Sequence, residues 1–306
     1  MSALAPALSL NALTFAHVSD LHLPFEPHLD WRQRLSKRQL SAWSWRKRRA
    51  VQRPEILAAL REELLAQQPD HIVVTGDITN FSLPLEFVQA QRWLASLAPP
   101  GGLSAVPGNH DALVPLPYAE GLGQLAAFMT GEHDWPYVRH VGGIAFIGLK
   151  SALPTAPLLA SGRLGATQLA RLERLLLDES AAGRIRVVLL HHPPADGAVS
   201  RRKALTDRGA LRAVLRRAGA ELVLHGHARG ARLDGLAGPH GPIPVLCVPS
   251  SSALPNPRDE AARWHLVTLP AAADQGWARV RVRQWSMAAK GFVEAASYEL
   301  RLPDRG

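Results

Sequence analysis

Thiols are almost absent from this chain of 306 residues, which has a single cysteine, Cys247. One thiol cannot close an internal disulfide or build a cysteine-based zinc site. It lies in the apolar run Pro244 to Val248, where a buried strand residue is expected. Long apolar runs are missing too, and none reaches the length that spans a bilayer. The apolar stretch from Met1 to Leu13 has no basic residue ahead of it and runs directly into Leu13–Val18, which is needed as a core strand. That pattern argues against a secretory leader. No internal repeat and no linker of disordered composition interrupts the chain, which is 47% hydrophobic and 20% charged. The expectation is a globular cytoplasmic protein, compatible with a reducing compartment and large enough for a sizeable core.

Acid is missing from one segment. Residues 31–53 hold nine basic side chains (Arg32, Arg34, Lys37, Arg38, Arg46, Lys47, Arg48, Arg49 and Arg53) and no Asp or Glu. Setting these nine aside leaves 26 basic against 26 acidic residues, so the whole net charge of +9 belongs to this segment. The segment also carries Trp31, Trp43 and Trp45. Three readings stay open: a solvated helix that packs its tryptophans on the domain, an anionic lipid or membrane surface at the inner face, and a nucleic-acid backbone, with nucleic acid ranked behind the membrane.

Short apolar, β-branched runs alternate with helical patterns. Strands are expected at Leu13–Val18, His71–Thr75, Leu103–Val106, Ile144–Leu149, Arg186–Leu190 and Glu221–Leu224. Helices are expected at about Pro54–Gln68, Thr167–Ala181 and Asp207–Ala218, each with a leucine-rich face at helical spacing. This alternation argues for α/β layers. The tail reads as strands at Val245–Val248, Trp264–Leu269, Ala278–Trp285 and Phe292–Leu300, the third alternating as a half-exposed antiparallel strand does. One domain over 1–306 is the simplest reading, with a basic insertion at about 31–53 and antiparallel strands at about 264–302.

Five polar clusters sit where an apolar strand ends: Ser19-Asp20-Leu21-His22, Gly76-Asp77, Gly108-Asn109-His110-Asp111, His191-His192-Pro193-Pro194 and His225-Gly226-His227. Carboxyl ends of strands form the ligand edge of α/β sheets, so all five can converge. Carboxylate and amide oxygens with neutral imidazoles suit Mn, Fe or Zn. Two such ions about 3.5–4 Å apart activate a water and clamp phosphate oxygens.

The series D-x-H, G-D, G-N-H-D, V-x-x-H and G-H, in this order from about His17 to Arg229, resembles the calcineurin-like metallophosphoesterase superfamily. The resemblance implies a four-layer α/β/β/α sandwich with two mixed sheets flanked by helices. It implies hydrolysis of a phosphomonoester, phosphodiester or pyrophosphate by a metal-bound hydroxide, on a nucleotide or lipid-linked substrate. By the same resemblance Asp20 and His22 hold the first of two divalent ions (Mn, Fe or Zn), Asp77 bridges, and Asn109, His191 and His227 hold the second. His110 is the catalytic non-ligand histidine that steadies phosphoryl oxygens or protonates the leaving alkoxide. One departure stands out. The family pattern ends G-H-x-H, whereas this chain reads Gly226-His227-Ala228-Arg229. Arginine cannot donate to a metal. Either water replaces the missing ligand, or His225 supplies an imidazole, or the first site stays empty and Arg229 binds substrate phosphate. A DNA exonuclease-type phosphoesterase and a non-catalytic binding protein with a decayed site are the alternative functions. His192 is expected beside the site without ligating, His17 within a strand, and His71, His133, His140 and His240 on the surface or in loops.

Overall fold

The computed structural model describes residues 12–98, 101–269 and 276–304. Nearly all of the stretch on which the leader reading rests, residues 1–11, lies outside them.

Six strands make the first sheet: β1 (Leu13–Val18), β2 (His71–Val74), β3 (Leu103–Ala105), β10 (Arg263–Leu269), β11 (Trp277–Ser286) and β12 (Gly291–Arg301), in the order β12-β11-β10-β1-β2-β3. β1, β2 and β3 run parallel, and β10, β11 and β12 add antiparallel. The second sheet has the order β4-β5-β6-β7-β9-β8, from β4 (Tyr137–Val141), β5 (Ile144–Gly148), β6 (Ile185–Leu189), β7 (Leu222–His225), β8 (Arg232–Gly238) and β9 (Gly241–Cys247). Its four inner strands are parallel and its two edges antiparallel. β4 and β8 were not expected. Both are edge strands that mix charged or glycine residues with few apolar ones, so neither has the continuous apolar run of a buried parallel strand.

Alternation along the strands explains the layers. On β5 and β6, Ile144, Phe146, Val187 and Leu189 join the core between the sheets, while Ala145, Ile147 and Val188 join the core under the helices. A strand that is apolar at every position has two faces to cover, which is why the parallel strands need both a sheet and helices. Phe15 of the first sheet meets Phe146 of the second edge to face at 5.3 Å. Helix α3 (Pro54–Gln67) buries Ile56, Leu57, Leu60 and Leu64, and α4 (Pro84–Ala95) buries Phe87, Ala90 and Leu94, all in the core that contains the first sheet. Helices α5 (Ala166–Ala181) and α6 (Arg208–Ala218) bury Leu169, Leu172 and Leu176, and Leu211, Val214 and Leu215, against the second. Each such leucine contributes roughly 1.5–3 kcal/mol of transfer free energy. The result is the expected four-layer α/β/β/α arrangement.

The inter-sheet layer is not wholly apolar. His71 is fully buried, where a surface or loop position was expected. Its ring stacks on Phe146 at 4.6 Å and its Nε2 pairs with Ser104 Oγ at 2.9 Å, so an inward-facing neutral imidazole is satisfied there. His17 is a buried strand residue, as expected, paired with Thr75 Oγ1 at 3.0 Å. Cys247 is buried on β9.

The basic segment forms α1 (Trp31–Arg34) and α2 (Lys37–Arg48). Ser36 caps α2 by accepting from the Arg38 amide. Several of its charged and aromatic residues dock the helix on the domain. Trp45 is buried edge-on to Phe81 at 5.9 Å. Arg38 donates to the carbonyls of Phe81 and Ser82, Ser41 to that of Asn80, and Lys37 to Thr155 Oγ1 and the Leu159 carbonyl. Trp31 and Trp43 stay exposed, at 67% and 58%. Among the described residues, no helix is long and apolar enough to cross a membrane.

Candidate metal centre

All five polar clusters follow strands whose carboxyl ends meet at one edge of the sandwich, and Asp20, His22, Asp77, Asn109, His110, His227 and Arg229 line one cavity of 790 Å³. The backbone there is strained. Asp20, His22, Asp77 and His227 all have positive φ, between 45° and 67°, without being glycine. Such conformations persist only where surrounding structure imposes them, and they cluster at functional sites. The cause is visible in the packing. The loops after β1 and β2 are stitched together by Asp20 N to Gly76 O and His22 N to Asp77 O, both 2.9 Å. Two glycines permit the closeness. A Cβ on Gly108 would collide with the Asp77 backbone amide and Oδ1, and one on Gly226 with Ser19 Oγ and Asp20 Oδ2.

Around Asp77 the electron-pair donors converge. His191 Nε2 lies 3.5 Å from Asp77 Oδ2, 3.3 Å from Asn109 Oδ1 and 3.1 Å from His227 Nδ1. The tautomers follow from the outer partners. His191 Nδ1 is 2.7 Å from the Thr75 carbonyl and His227 Nε2 is 3.1 Å from the Lys203 carbonyl, so both those nitrogens carry hydrogens. In the neutral rings, His191 Nε2 and His227 Nδ1 are then bare lone pairs that face one another across an amide oxygen and a carboxylate. Four such electron-pair donors repel unless a cation, a proton or a metal ion, sits between them. These residues therefore fit a metal ion, with the outer hydrogen bonds that orient ligating imidazoles already in place.

The second group is looser. Ligand atoms of His22, Asp77 and His110 lie within 4.8 Å of one another, and His22 Nε2 is 3.9 Å from Asp77 Oδ2. His22 Nδ1 is buried with no protein partner. His110 has no lone pair to spare. Its Nδ1 donates to the Asn80 carbonyl at 2.9 Å, and its Nε2 faces Arg48 at 3.0 Å. That arrangement suits a non-ligand histidine. Asp20 falls in neither tight group. Its Oδ2 accepts from Ser19 Oγ at 2.7 Å and from the His227 amide at 3.0 Å, which leaves Oδ1 as the oxygen free for a ligand.

The electrostatics match a centre built for cations. Burial disfavours the Asp77 carboxylate, but His191, His110 and His22 beside it hold it well below the usual range. Burial pulls His191 down, yet the Asp77 carboxylate outweighs it and holds the imidazolium at about 9. Burial pushes Asp20 up to about 6. Burial, then Arg48, hold His110 down to about 4, so it is neutral at pH 7.

His225 stays outside. It belongs to neither group of convergent atoms, and its Nδ1 is engaged with the Gly226 carbonyl at 2.8 Å. Arg229 lines the cavity with its guanidinium 3.4 Å from Asp259. His192 is a neighbour, as expected, held by Ser151 Oγ and the Ala160 carbonyl.

Three residues at the site were given no role by the sequence. Asp111 accepts from the amides of Ile78, Thr79 and Gly108, at 2.8–3.0 Å, and so locks the Asp77 loop to the Asn109 loop. Ser250, past the end of β9, donates to the Asp20 carbonyl at 2.8 Å. Arg48, from α2, reaches His110 across 62 residues of sequence. The first was visible as the last residue of G-N-H-D; the other two come from segments without a motif.

The calcineurin-like phosphoesterase family model matches residues 13–228. The chain belongs to this family. Like its relatives, this phosphoesterase is a metal-dependent hydrolase of phosphate esters, in a family whose members use pairs of metal ions. A probable cyclic nucleotide phosphodiesterase from Synechococcus is 28% identical over 226 residues, 73% of this chain and 76% of that one. Among solved structures, a dimetal phosphatase from Danio rerio superposes with a TM-score of 0.61 at 14% identity, covering 94% of this chain and 98% of the other. A purple acid phosphatase from yellow lupin gives 0.58 at 13%, over 95% of this chain and 54% of its own length. At these identities the two structures establish the shared fold alone.

Proposed function

We propose that this phosphoesterase hydrolyses a phosphodiester or phosphomonoester of a small molecule, a nucleotide in the first instance, with Asp20, His22 and Asp77 holding one divalent ion and Asp77, Asn109, His191 and His227 the other. Mn, Fe or Zn suits this mixture of carboxylate, amide oxygen and imidazole. Such a pair supplies an activated water and a clamp on the phosphoryl oxygens. The observation that carries the reading is the convergence of His191 Nε2 and His227 Nδ1 at 3.1 Å, with Asn109 Oδ1 and Asp77 Oδ2 beside them.

The chain's own side chains divide the remaining work. Asp77 accepts the His110 amide on Oδ1 at 2.7 Å, which keeps Oδ2 turned to the imidazoles. His110 is held by the Asn80 carbonyl through Nδ1, and its Nε2 at the cavity is an acceptor that Arg48 already engages. Arg229, at the position of the second histidine of G-H-x-H, is a substrate-phosphate ligand in this proposal, and the ion held by Asp20 and His22 completes its shell with water. A cavity of 790 Å³ has the capacity of a drug-sized ligand and accommodates a nucleotide. The similarity to a probable cyclic nucleotide phosphodiesterase supports the choice of substrate class. A cytoplasmic setting belongs to the same proposal. Association with an anionic membrane face rests on Trp31 and Trp43, exposed beside Arg32, Arg46 and Lys47.

The test is a screen of bis(p-nitrophenyl) phosphate, p-nitrophenyl phosphate and cyclic mononucleotides with Mn²⁺, Zn²⁺ or Fe²⁺. Turnover of a nucleotide that disappears in Asp77→Asn, with the far-ultraviolet spectrum unchanged, supports the reading. Equal activity in Asp77→Asn, or none in the loaded wild type, defeats it.

A further inference from the structure

Among the α2 side chains that line the cavity, Arg48 is the one that pairs with a residue of the motif clusters, His110. Its Nη1 is 3.0 Å from His110 Nε2, and because His110 Nδ1 carries the hydrogen bonded to Asn80, the guanidinium is the donor. Nη2 donates to Ser41 Oγ at 3.2 Å, within the same helix, and Nε is buried with no partner. No carboxylate among the described residues forms an ion pair with it. Asp77, Glu86 and Asp259 attract it only at longer range. Burial lowers the guanidinium to about 10, so it keeps its charge at neutral pH.

A largely desolvated guanidinium without a counter-ion is costly, and an anion bound beside it offsets that cost. The surroundings agree. Lys203, partly buried in the lining of the same cavity, also has no ion pair among the described residues, and Arg229 repels both it and Arg48. Arg48, Lys203 and Arg229 thus line one cavity, and only Arg229, 3.4 Å from Asp259, has an ion pair among the described residues. An oxyanion in that cavity would relieve the repulsion by Arg229 and give Arg48 and Lys203 the partner they lack. The rest of α2 reads as the device that delivers Arg48: Ser36 caps the helix, Arg38, Ser41 and Trp45 fix it to the loop after β2, and Trp43 and Lys47 form the rim.

We propose that Arg48 binds substrate, donating from its guanidinium to a phosphoryl oxygen beside His110, so that the basic helix is a wall of the active site. The guanidinium is then the hydrogen-bond donor that meets negative charge as it develops on the phosphoryl or leaving-group oxygen, a place where the neutral imidazole has only a lone pair to offer. This rests on the phosphoesterase reading above.

The experiment compares wild type, Arg48→Ala, Arg48→Lys and, as a control on the same helix, Arg46→Ala, all loaded with Mn²⁺. Four quantities are measured: Mn content, inorganic phosphate binding by calorimetry, kcat and KM on bis(p-nitrophenyl) phosphate, and rescue of Arg48→Ala by millimolar guanidinium. The expected result is unchanged Mn content throughout and phosphate binding at least tenfold weaker in Arg48→Ala. The fall in its kcat/KM should be roughly 10²–10³, the loss typical of one preorganised oxyanion donor. Guanidinium should restore part of the activity, Arg48→Lys should fall between, and Arg46→Ala should match wild type. Phosphate affinity and kcat/KM within twofold of wild type in loaded Arg48→Ala would overturn the proposal. So would loss of Mn from Arg48→Ala and Arg48→Lys alike, which would assign Arg48 to assembly of the centre. Wild type that holds no Mn and hydrolyses nothing would sink the phosphoesterase reading and this inference together, and so is distinguishable from failure of Arg48 alone.

Discussion

Protons and metal ions should compete for the same lone pairs. In the absence of a cation, the Asp77 carboxylate draws a proton onto His191, whose imidazolium is held at about 9. At pH 7 that proton is present on about 99% of molecules, by the ordinary titration relation. A metal bound at His191 Nε2 must expel it. His227 adds no cost, because burial and the neighbouring imidazoles keep its ring neutral with Nδ1 already bare. The sign follows directly: a raised imidazole value means that metal affinity is weak at low pH and strengthens as pH rises toward 9. The slope is about tenfold per pH unit near pH 7 and flattens toward pH 9, so the change between them is about fiftyfold, or about 2.3 kcal/mol at 1.36 kcal/mol per unit. Below about pH 6 the Asp20 carboxyl, pushed up to about 6, adds a second proton to the competition and steepens the slope. Calorimetry of Mn²⁺ binding in two buffers of different ionisation enthalpy reads the proton count. It should give about one proton released per chain at pH 7 and about half of one at pH 9. Asp77→Asn should abolish the release at pH 7, since the attraction that holds the proton is gone. Metal affinity that is flat between pH 7 and pH 9, or binding without proton release at pH 7, would refute the reasoning.

Gly226→Ala puts a methyl group against Ser19 and Asp20, displacing the carboxylate that also accepts the His227 amide. It should lower Mn occupancy and cost about 1–3 kcal/mol of stability, read by metal analysis and urea unfolding. His71 is buried and neutral, and burial holds it at about 4, below an unfolded value near 6.5. Its folded form therefore binds fewer protons than its unfolded form. Stability should be full above pH 6.5 and fall as pH drops toward 4, by about 2 kcal/mol at pH 5 from this group. Urea midpoints at pH 7.5 and pH 5 for wild type and His71→Gln should show a smaller acid loss in the variant; equal losses would count against it. Vesicle co-sedimentation tests the outer face of the basic helix. Association with anionic vesicles should weaken when Trp43→Ala and Lys47→Ala are combined, and no sedimentation in the wild type would end the membrane reading.

Much of this site was legible because strand ends are punctuated. Leu13–Val18, His71–Val74 and Ile185–Leu189 are mostly apolar and almost wholly buried, and the polar cluster after each falls at the sheet edge. The edge strands were not legible, because Arg232–Gly238 and Tyr137–Val141 are covered on fewer sides and need no apolar signature. Helix α4 was also unread, since Phe87, Ala90 and Leu94 are sparse among Gln89, Gln91 and Arg92. His71 was misjudged because a histidine carries no mark of the serine that will satisfy it 33 residues later. Arg48 was hidden within nine similar charges. Composition assigned the segment a single electrostatic character, whereas packing divides it. Lys37 and Arg38 anchor the helix, Arg49 pairs with Glu26, and Arg48 turns inward. Long-range placement of a long, flexible side chain follows from the docking of the helix that bears it, and local periodicity does not encode that docking.

Anomalous diffraction from crystals grown with Mn²⁺ tests the centre most directly. Two peaks about 3.5–4 Å apart are expected, both against Asp77, with Asn109, His191 and His227 around one and Asp20 and His22 around the other. A single peak, or ions bound away from Asp77, would contradict the two-metal account.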